Sequence, residues 1–547
     1  AHVEALERRR STRSSGRARR SRGGTDDAPA SAGRDYMSCP WCHQWSTVPV
    51  CVWCGRDATD ELDHVHVVSA DDRTWAHHRA HAYSYLRALL QFDVGEQAHM
   101  AVHLVKWTLL GTVVGVLAGL ASAFFLVTLE WVTNLREANP WIIAFLPVAG
   151  FAVGAAYYFR GGRSGGGNNL VLDEIHDPRD WVPRRMAVLV YGGTILTQLF
   201  GGSAGREGTA LQMSGSLTDW ASRILRLNPT DRRIMLIAAL SGGFGAVFGV
   251  PIAGFVFGLE VQSVGRIEYD ALVPALVASV VGDLVVRGVG VHHTPMSALP
   301  SFDLTPELVS KVALAGLAFG LTALVFTELT HGIKRIYAAR KVWPPLQPLI
   351  GGILIIVMTL VVGDQTYNGL SIPLEVSALA GGVGVVSAAF AIKLLFTAVT
   401  LGSGFQGGEV TPLFVIGATL GVTMGRLLGV PVEIMAPMGF VAVFAGAANV
   451  PLACTVMGAE LFGADGFVLY AVACVVSYVF SSHRGIYTSQ RVGVPKAHDI
   501  VAEPPDAGTE LRSINHGRRH WLPGRPVTGP TRSSEERSGP PAGEAER

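Results

Sequence analysis

Charged residues are scarce in this chain, and the shortage limits the class of protein it can be. Asp, Glu, Lys and Arg make up 16% of the 547 residues, whereas hydrophobic residues make up 49%. Soluble globular proteins carry about 25% charged residues. The net charge of +1 does not indicate a nucleic-acid partner, and none is expected. The shortage argues against an ordinary soluble protein and favours a membrane protein. The alternative is a soluble protein with a large α-helical core.

The missing charges leave long apolar runs. Residues 107–129 contain no charged side chain. At about 1.5 Å per residue, a helix of that length crosses the roughly 30 Å hydrocarbon layer of a bilayer. The further uncharged windows are 141–159, 186–205, 234–259, 312–327, 345–363, 376–392, 410–425, 434–459 and 466–483. Together they predict an all-α polytopic membrane protein that sits in a lipid bilayer.

The two ends of the chain differ from this apolar middle. Residues 1–24 are rich in Arg and Ser and lack the apolar centre of a secretory signal. We expect residues 1–95 to form a polar segment, either disordered or not native to the protein. Residues 96–490 would form the transmembrane domain and residues 491–547 a disordered tail. The basic flanks predict that both ends face the cytoplasm of a multi-pass plasma-membrane protein.

The six cysteines include two closely spaced pairs, in "CPWC" and "CVWC". Two such pairs, separated by eight residues, can close a tetrahedral zinc site. The predicted ligands are Cys39, Cys42, Cys51 and Cys54. The alternative is that this segment is not native sequence, and transport itself is expected to need no cofactor.

The apolar region contains an internal repeat. "VPIAGFVFGLE" (250–260) and "VPLACTVMGAE" (450–460) share Val, Pro, Ala, Val, Gly and Glu at an offset of 200 residues. Thr197, Gly202 and Ser203 recur at the same offset. Two related membrane halves with Gly- and Pro-interrupted helices are typical of transporters, whose substrate site lies between the repeats.

The interrupted segments predict an anion site. Helix starts expose backbone N–H groups and carry a partial positive charge, so several converging starts favour a negative ligand. The four candidate starts lie in "GGRSGGGNNL", "GGSAGREGT", "GSGFQGGEVTP" and "ANVPL".

Glu207 stands in one of these breaks, in the sequence "GREGT". An ionisable side chain at membrane depth is a functional hypothesis by default. We predict that the ionised carboxylate occupies the anion site and leaves it on protonation, serving as gate and proton carrier. A structural ion pair with Arg206 is the alternative.

The motifs "GREGT", "GSGFQGGEVTP" and "FGVPIAGFVFGLE" resemble those of the CLC family of anion channels and anion/proton antiporters. The resemblance covers roughly residues 100–490. It implies a homodimer, an inverted repeat of broken, tilted helices, and Glu207 as the external gate. It also implies that Tyr487 bounds the anion site from inside, a surface tyrosine being the alternative. The resemblance further implies that Gly205, Arg206 and Gly208 of the GREGT loop contribute to the anion site.

The chain departs from the chloride-handling pattern at two places. Where those members carry G-S-G-I-P, this chain has "GGGNNLVL", which puts Asn168, or Asn169 one register over, in the position of the serine. The later motif contains Glu409, Val410 and Thr411 instead of G-x-F-x-P. Both departures resemble the fluoride/proton antiporter branch. An Asn amide and a Thr hydroxyl supply close donors for a small, strongly hydrated anion.

These observations predict a fluoride/proton antiporter that exports fluoride, and not an enzyme. A chloride channel or chloride/proton antiporter of the same family is the alternative. Glu409 is expected either to handle a proton or to cap a helix. Glu260 and Glu460 recur in both halves, which predicts a structural role in capping or dimer contacts. Lys393 is expected to snorkel to the membrane interface, the alternative being that it offsets Glu409 or Glu460.

Overall fold

The computed structural model of the protein describes residues 37–38, 45–46, 94–496 and 508–514. The chain divides into two compact units, Ala1–Val94 and Gly95–Arg547. In the first unit, strands β1 (Met37–Ser38) and β2 (Trp45–Ser46) pair antiparallel. The four cysteines predicted to bind zinc lie outside the described residues.

The second unit is built from α-helices. In chain order these are α1 (Val94–Ala138), α2 (Leu146–Ala156), α3 (Asn168–His176), α4 (Arg185–Leu199), α5 (Glu207–Ile224), α6 (Pro229–Phe248), α7 (Pro251–Glu260), α8 (Leu272–Gly288), α9 (Pro306–Ala339), α10 (Leu346–Val362), α11 (Ile372–Leu379), α12 (Ala389–Gly402), α13 (Val410–Leu428), α14 (Val432–Ala448), α15 (Pro451–Phe462) and α16 (Phe467–Phe480).

These helices fall into two length classes. Within the described residues, five helical segments are long and apolar enough to cross a membrane: Gly95–Ala138, Pro140–His176, Tyr269–Gly288, Pro306–Ala339 and Val410–Leu428. Other apolar helices, such as α7 and α15, are much shorter than the roughly 20 residues a full span requires. The protein is therefore an all-α, multi-pass membrane protein that contains broken helices, as predicted.

The internal repeat corresponds to a local two-fold arrangement. Glu260, at the end of α7, accepts hydrogen bonds from the Leu452 and Ala453 N–H groups at the start of α15 (3.0 and 2.8 Å). Glu460 accepts in the same way from the Ile252 and Ala253 N–H groups at the start of α7 (2.9 and 2.7 Å). Since each helix end caps the start of the other, the two helices run antiparallel. The capping alternative predicted for these two glutamates is confirmed.

The residue that precedes each repeated Val-Pro pair has the same backbone conformation. Gly249 and Asn449 both lie in the left-handed region, with φ of +72° and +60°. Each ends one helix and lets the chain turn directly into the next. Proline then occupies the first helical position, where its missing N–H group costs nothing.

Helices α13 and α14 pack closely against each other in the interior of the second half of the repeat. A Cβ atom on Gly417 would lie 2.1 Å from Gly439 O, so only glycine permits this helix crossing. Beside it the Phe414 and Phe440 rings stack at 4.1 Å between centroids. This packing fixes the direction of α13, which begins at the candidate site.

The described chain continues past residue 490. Strands β3 (Ser263–Val264) and β4 (Arg491–Val492) pair in parallel. The buried side chain of Leu511 packs with Val264 and Val492. The predicted disordered tail therefore does not begin directly at residue 491, because backbone hydrogen bonds hold residues 491–492 against the membrane domain.

Candidate functional site

Two loops from opposite halves of the repeat meet at the centre of the second unit. Gly205 N–H donates to Gly408 O (2.6 Å), and Gly408 N–H donates to Gly205 O (2.9 Å). Helix α5 begins two residues after Gly205, and α13 begins two residues after Gly408. The reciprocal bridge therefore sets two helix starts side by side.

The carboxylate of Glu207 lies between these two helix starts. It accepts hydrogen bonds from the backbone N–H of Thr411 (3.0 Å) and of Arg206 (3.1 Å), and from the Thr411 hydroxyl. Its side chain is fully buried. Several donors around one buried carboxylate are the surroundings that a small anion requires.

Arg206 lies near this carboxylate, but its guanidinium makes no hydrogen bond to it. Its Nε atom is 3.6 Å from Glu207 Oε1, and its guanidinium lies over the Phe248 ring. Within the part of the chain that the structure describes, Nε makes no hydrogen bond. The ion pair proposed as the alternative role of Glu207 is therefore present, but backbone and hydroxyl donors supply the hydrogen bonds.

Asn168 and Glu409 lie on either side of Gly208. The position that a Cβ atom on Gly208 would occupy is 3.1 Å from Asn168 Nδ2 and 3.7 Å from Glu409 Oε2. The same position is 3.0 Å from Gly408 Cα. The starts of α3, α5 and α13 therefore converge on one small volume, and glycine at position 208 leaves that volume open.

The capping role proposed for Glu409 does not occur. Glu409 precedes Val410, the buried first residue of α13, in the N-cap position, but its side chain makes no capping hydrogen bond within the described structure. It instead interacts electrostatically with Glu207.

The two neighbouring asparagines have different surroundings. Asn169 Oδ1 accepts a hydrogen bond from Ser489 N–H (3.0 Å), which ties α3 to the segment after Tyr487. Asn168 Oδ1 is buried and, across residues 94–496, has no hydrogen-bond partner. The Nδ2 atom of Asn168, which is the donor that an anion requires, lies next to Gly208.

Tyr487 is buried, and the surface alternative for it is wrong. Its side chain is 2% exposed, and its hydroxyl has no partner among the residues described. It interacts electrostatically with both Glu409 and Glu207. A hydrogen bond from Ile486 N–H to Ala447 O (2.9 Å) holds its segment beside the end of α14.

A buried ionic network anchors α3, which carries both asparagines. Glu174 pairs with Arg232 of α6 at 3.2 Å, and Arg232 pairs with Asp219 of α5 at 2.6 Å. Arg163 bonds to the other oxygen of Glu174. Because each buried charge has an opposite partner, the network holds three helices in register.

Two further residues of the region carry no motif that sequence reasoning could use. Gln212 of α5 lies with its amide 3.5 Å from the Cβ position of Gly167, and its Oε1 is unpartnered within the described chain. The second residue without a motif is Glu375 of α11. Glu375 gives one signal, a charged residue within the otherwise uncharged helix α11, whereas Gln212 gives none, because α5 contains many other polar residues.

The prediction that Lys393 snorkels to the interface is wrong. Its side chain is fully buried, and its ammonium group donates to four oxygens. These are Ser203 Oγ (2.9 Å), Tyr367 O (3.2 Å), Gly369 O (2.9 Å) and Ser371 Oγ (2.8 Å). The lysine joins the loop before Gly205 to the start of α11, since these oxygens replace the water it would otherwise need.

The described residues contain no cluster of three or more His, Cys, Asp or Glu side chains that would hold a metal ion. The central site thus consists of N–H and O–H donors together with carboxylates. Such a set fits a small anion and protons.

Comparison with known proteins agrees with this geometry. A chloride/fluoride channel protein from Pseudomonas syringae pv. tomato is 47% identical over 419 residues, covering 76% of this chain and 92% of its own length. An H+/Cl− exchange transporter from Vibrio vulnificus is 26% identical, over 63% of this chain and 79% of its own.

Solved structures of anion transport proteins also resemble this chain. A crystal structure of a CLC-type fluoride/proton antiporter superposes with a TM-score of 0.68 and 34% identity, covering 71% of this chain and 98% of that one. A slow cyanobacterial Cl−/H+ antiporter superposes at 0.58 with 20% identity, which supports the fold. The sequence model of the voltage-gated chloride channel family matches residues 149–482. The chain therefore belongs to the voltage-gated chloride channel family, the CLC family.

Proposed function

We propose that this chain is an antiporter that exports fluoride from the cell in exchange for protons. The observation that carries the proposal is the Glu207 carboxylate held by Thr411 N–H, Thr411 O–H and Arg206 N–H. A titratable group in an anion's place couples the two ions. The anion enters when the group is protonated and leaves when the ionised group returns.

The donors of the site suit fluoride. Fluoride is small and strongly hydrated, so a protein must replace its water with donors at short range. The Thr411 hydroxyl and the Asn168 amide are such donors. The proposal is also supported by similar proteins that are named for fluoride, a chloride/fluoride channel protein and a fluoride/proton antiporter.

Two neighbouring groups complete the proposed cycle. Glu409, near Asn168 and electrostatically coupled to Glu207, takes the second proton-handling role. Tyr487, buried with a free hydroxyl within the described chain, bounds the anion from the inner side. No step needs a cofactor or a covalent reaction, so the chain acts as a transporter and not as an enzyme.

The assembly and placement of the chain follow from the same proposal. It functions as a homodimer in the plasma membrane, with residues 96–490 as the transport domain. Zinc binding by Cys39, Cys42, Cys51 and Cys54 stays a separate proposal, supported by their spacing.

Chloride transport is the second candidate, and the chloride exchangers among the relatives favour it. Ion flux from liposomes containing the purified protein separates the two. Under a proton gradient, we expect fluoride to move uphill and chloride to move at least tenfold more slowly. Equal rates for both ions would favour the second candidate.

Glu207→Gln tests the coupling in the same liposomes. Glutamine cannot release a proton, so we expect proton movement driven by fluoride to fall to the background of empty liposomes. Glu433→Gln, at an exposed position at the start of α14, is the matched control and should leave both fluxes unchanged. Undiminished proton pumping in Glu207→Gln would contradict the gate assignment.

A further inference from the structure

A further buried carboxyl, Glu375, lies near the central site. It stands in the middle of the short helix α11, and its side chain is 3% exposed. Its Oε2 atom has no hydrogen-bond partner anywhere in the described chain. A buried carboxyl oxygen without a partner is costly and calls for a ligand or water.

Glu375 lines a small cavity whose volume is about 30 Å³. Its polar wall consists of Arg206, His293, Thr294, Glu375 and Thr411, and the remaining wall is apolar. A buried water molecule needs roughly 10–15 Å³ of such space, so the cavity has room for about two.

Three wall residues offer polar atoms that bond to nothing in the described residues. They are Arg206 Nε, His293 Nε2 and Glu375 Oε2. His293 Nε2 lies 4.0 Å from Asp283 Oδ1, beyond hydrogen-bond distance. Because donors and an acceptor border one small space, water there would satisfy all three atoms.

The cavity lies between the central site and the protein surface. On one side it is lined by Thr411 and Arg206, which both touch the Glu207 carboxylate. On the other side it is lined by Thr294, an exposed residue in the loop between α8 and α9. Glu375 therefore lines a space that lies between Glu207 and an exposed loop.

We propose that Glu375 is the outer proton acceptor of the transporter, exchanging protons with Glu207 through the water of this cavity. The proposal rests on the antiport function above. Because fluoride leaves the cell, the coupled proton moves inward. Water at the loop protonates the Glu375 carboxylate, the O–H bond of Glu375 then breaks, cavity water passes the proton on, and an O–H bond forms on the Glu207 carboxylate. Glu375 is left ionised again, so one proton moves and no other reactant is consumed.

The charges around Glu375 suit this exchange. Arg206, Glu207 and Lys393 act on it electrostatically. Of the helices packed against α11, α13 contributes Arg426, bonded to Gly382 O and Val385 O, and α14 contributes Glu433, beside Gly381. These two lie beyond the end of α11. Arg206 thus acts electrostatically on both carboxylates and stabilises whichever of the two is ionised.

The test compares wild type, Glu375→Gln and Glu375→Asp as full-length protein in liposomes. Fluoride turnover is measured from pH 5 to pH 8, in H2O and in D2O, together with protons moved per fluoride. We expect Glu375→Gln to lower turnover about tenfold and to enlarge the D2O effect. The protons per fluoride stay constant, because Glu207 still couples the ions. Glu375→Asp, which keeps a carboxyl, should retain most of the turnover.

Glu433→Gln is the matched control, since it removes a nearby exposed carboxylate and should behave as wild type. Wild-type turnover of Glu375→Gln at every pH overturns the proposal. A changed KM for fluoride with an unchanged pH profile also overturns it, because the cavity would then bind the anion. If Glu375→Gln does not fold, Glu375→Asp decides. A shifted pH profile supports the relay, and a wild-type profile overturns it.

The two proposals fail in different ways. Wild-type protein that moves no protons with fluoride refutes the antiport function. Coupled wild-type transport together with unaffected Glu375 variants refutes the relay alone.

Discussion

Some side chains of this protein position the segments around the central site, and others form the site itself. Asn169 binds Ser489 N–H and so orders the segment of Tyr487, while Asn168 directs its amide towards Gly208. The two residues are neighbours of identical chemistry, yet only the side-chain oxygen of Asn169 has a hydrogen-bond partner among the described residues. Their positions on successive residues of α3 separate the roles, because adjacent helical side chains point in different directions.

Replacing each asparagine by serine separates these roles. Asn168→Ser removes one amide donor at the site, and we expect the fluoride-to-chloride flux ratio to fall about tenfold, as one lost hydrogen bond of about 1.4 kcal/mol implies. Asn169→Ser should lower turnover for both ions and the thermal unfolding temperature, without changing the ratio. An unchanged ratio in Asn168→Ser would assign selectivity to Thr411.

At the scale of helices, the protein satisfies exposed helix starts with side chains from the other half of the repeat. Glu260 and Glu460 each close two N–H groups that no α-helix can pair internally. The two caps differ in surroundings, because Glu260 is buried whereas Glu460 is exposed. Loss of the Glu260 cap leaves the buried N–H group of Ala453 without a partner, and an unpaired buried donor costs more than an exposed one.

Glu260→Ala should therefore destabilise the protein more than Glu460→Ala. Loss of a helix cap lowers the free energy of unfolding by about 0.5–2 kcal/mol. We expect a loss near the upper end of this range for Glu260→Ala and near the lower end for Glu460→Ala. Thermal unfolding in one detergent measures both, with the exposed Glu130→Ala on α1 as control. A larger loss for Glu460→Ala would mean that the exposed cap is covered by something else, such as a second copy of the chain.

At the scale of the whole chain, the match to the family lies in the second unit. The family match spans residues 149–482, and every residue of the central site lies in that range or within five residues of its end. The first unit, Ala1–Val94, contributes none of them.

Deleting residues 1–94 should leave fluoride turnover within about twofold of the full chain. The measurement is flux in liposomes, with metal content of both proteins determined in parallel. Bound zinc lost with the deletion would support the cysteine site without affecting transport. Loss of flux in a folded, reconstituted deletion would show that the first unit takes part in transport.

The amino-acid sequence alone determined the features that depend on short stretches of chain. The uncharged windows, the repeat at an offset of 200 residues and the loop around Glu207 are each local patterns, and they sufficed for the membrane fold and the family. Local composition sets which segments enter a bilayer and where helices break.

Only the tertiary structure decided which side chains meet. It buried Lys393 against four oxygens, gave Asn168 and Asn169 different surroundings, and brought Glu375 and Arg206, 169 residues apart in sequence, to one cavity. Such contacts depend on the antiparallel packing of two halves and on the direction of each side chain at a broken helix. No pattern within a single segment contains that information, because each contact joins segments far apart in the chain.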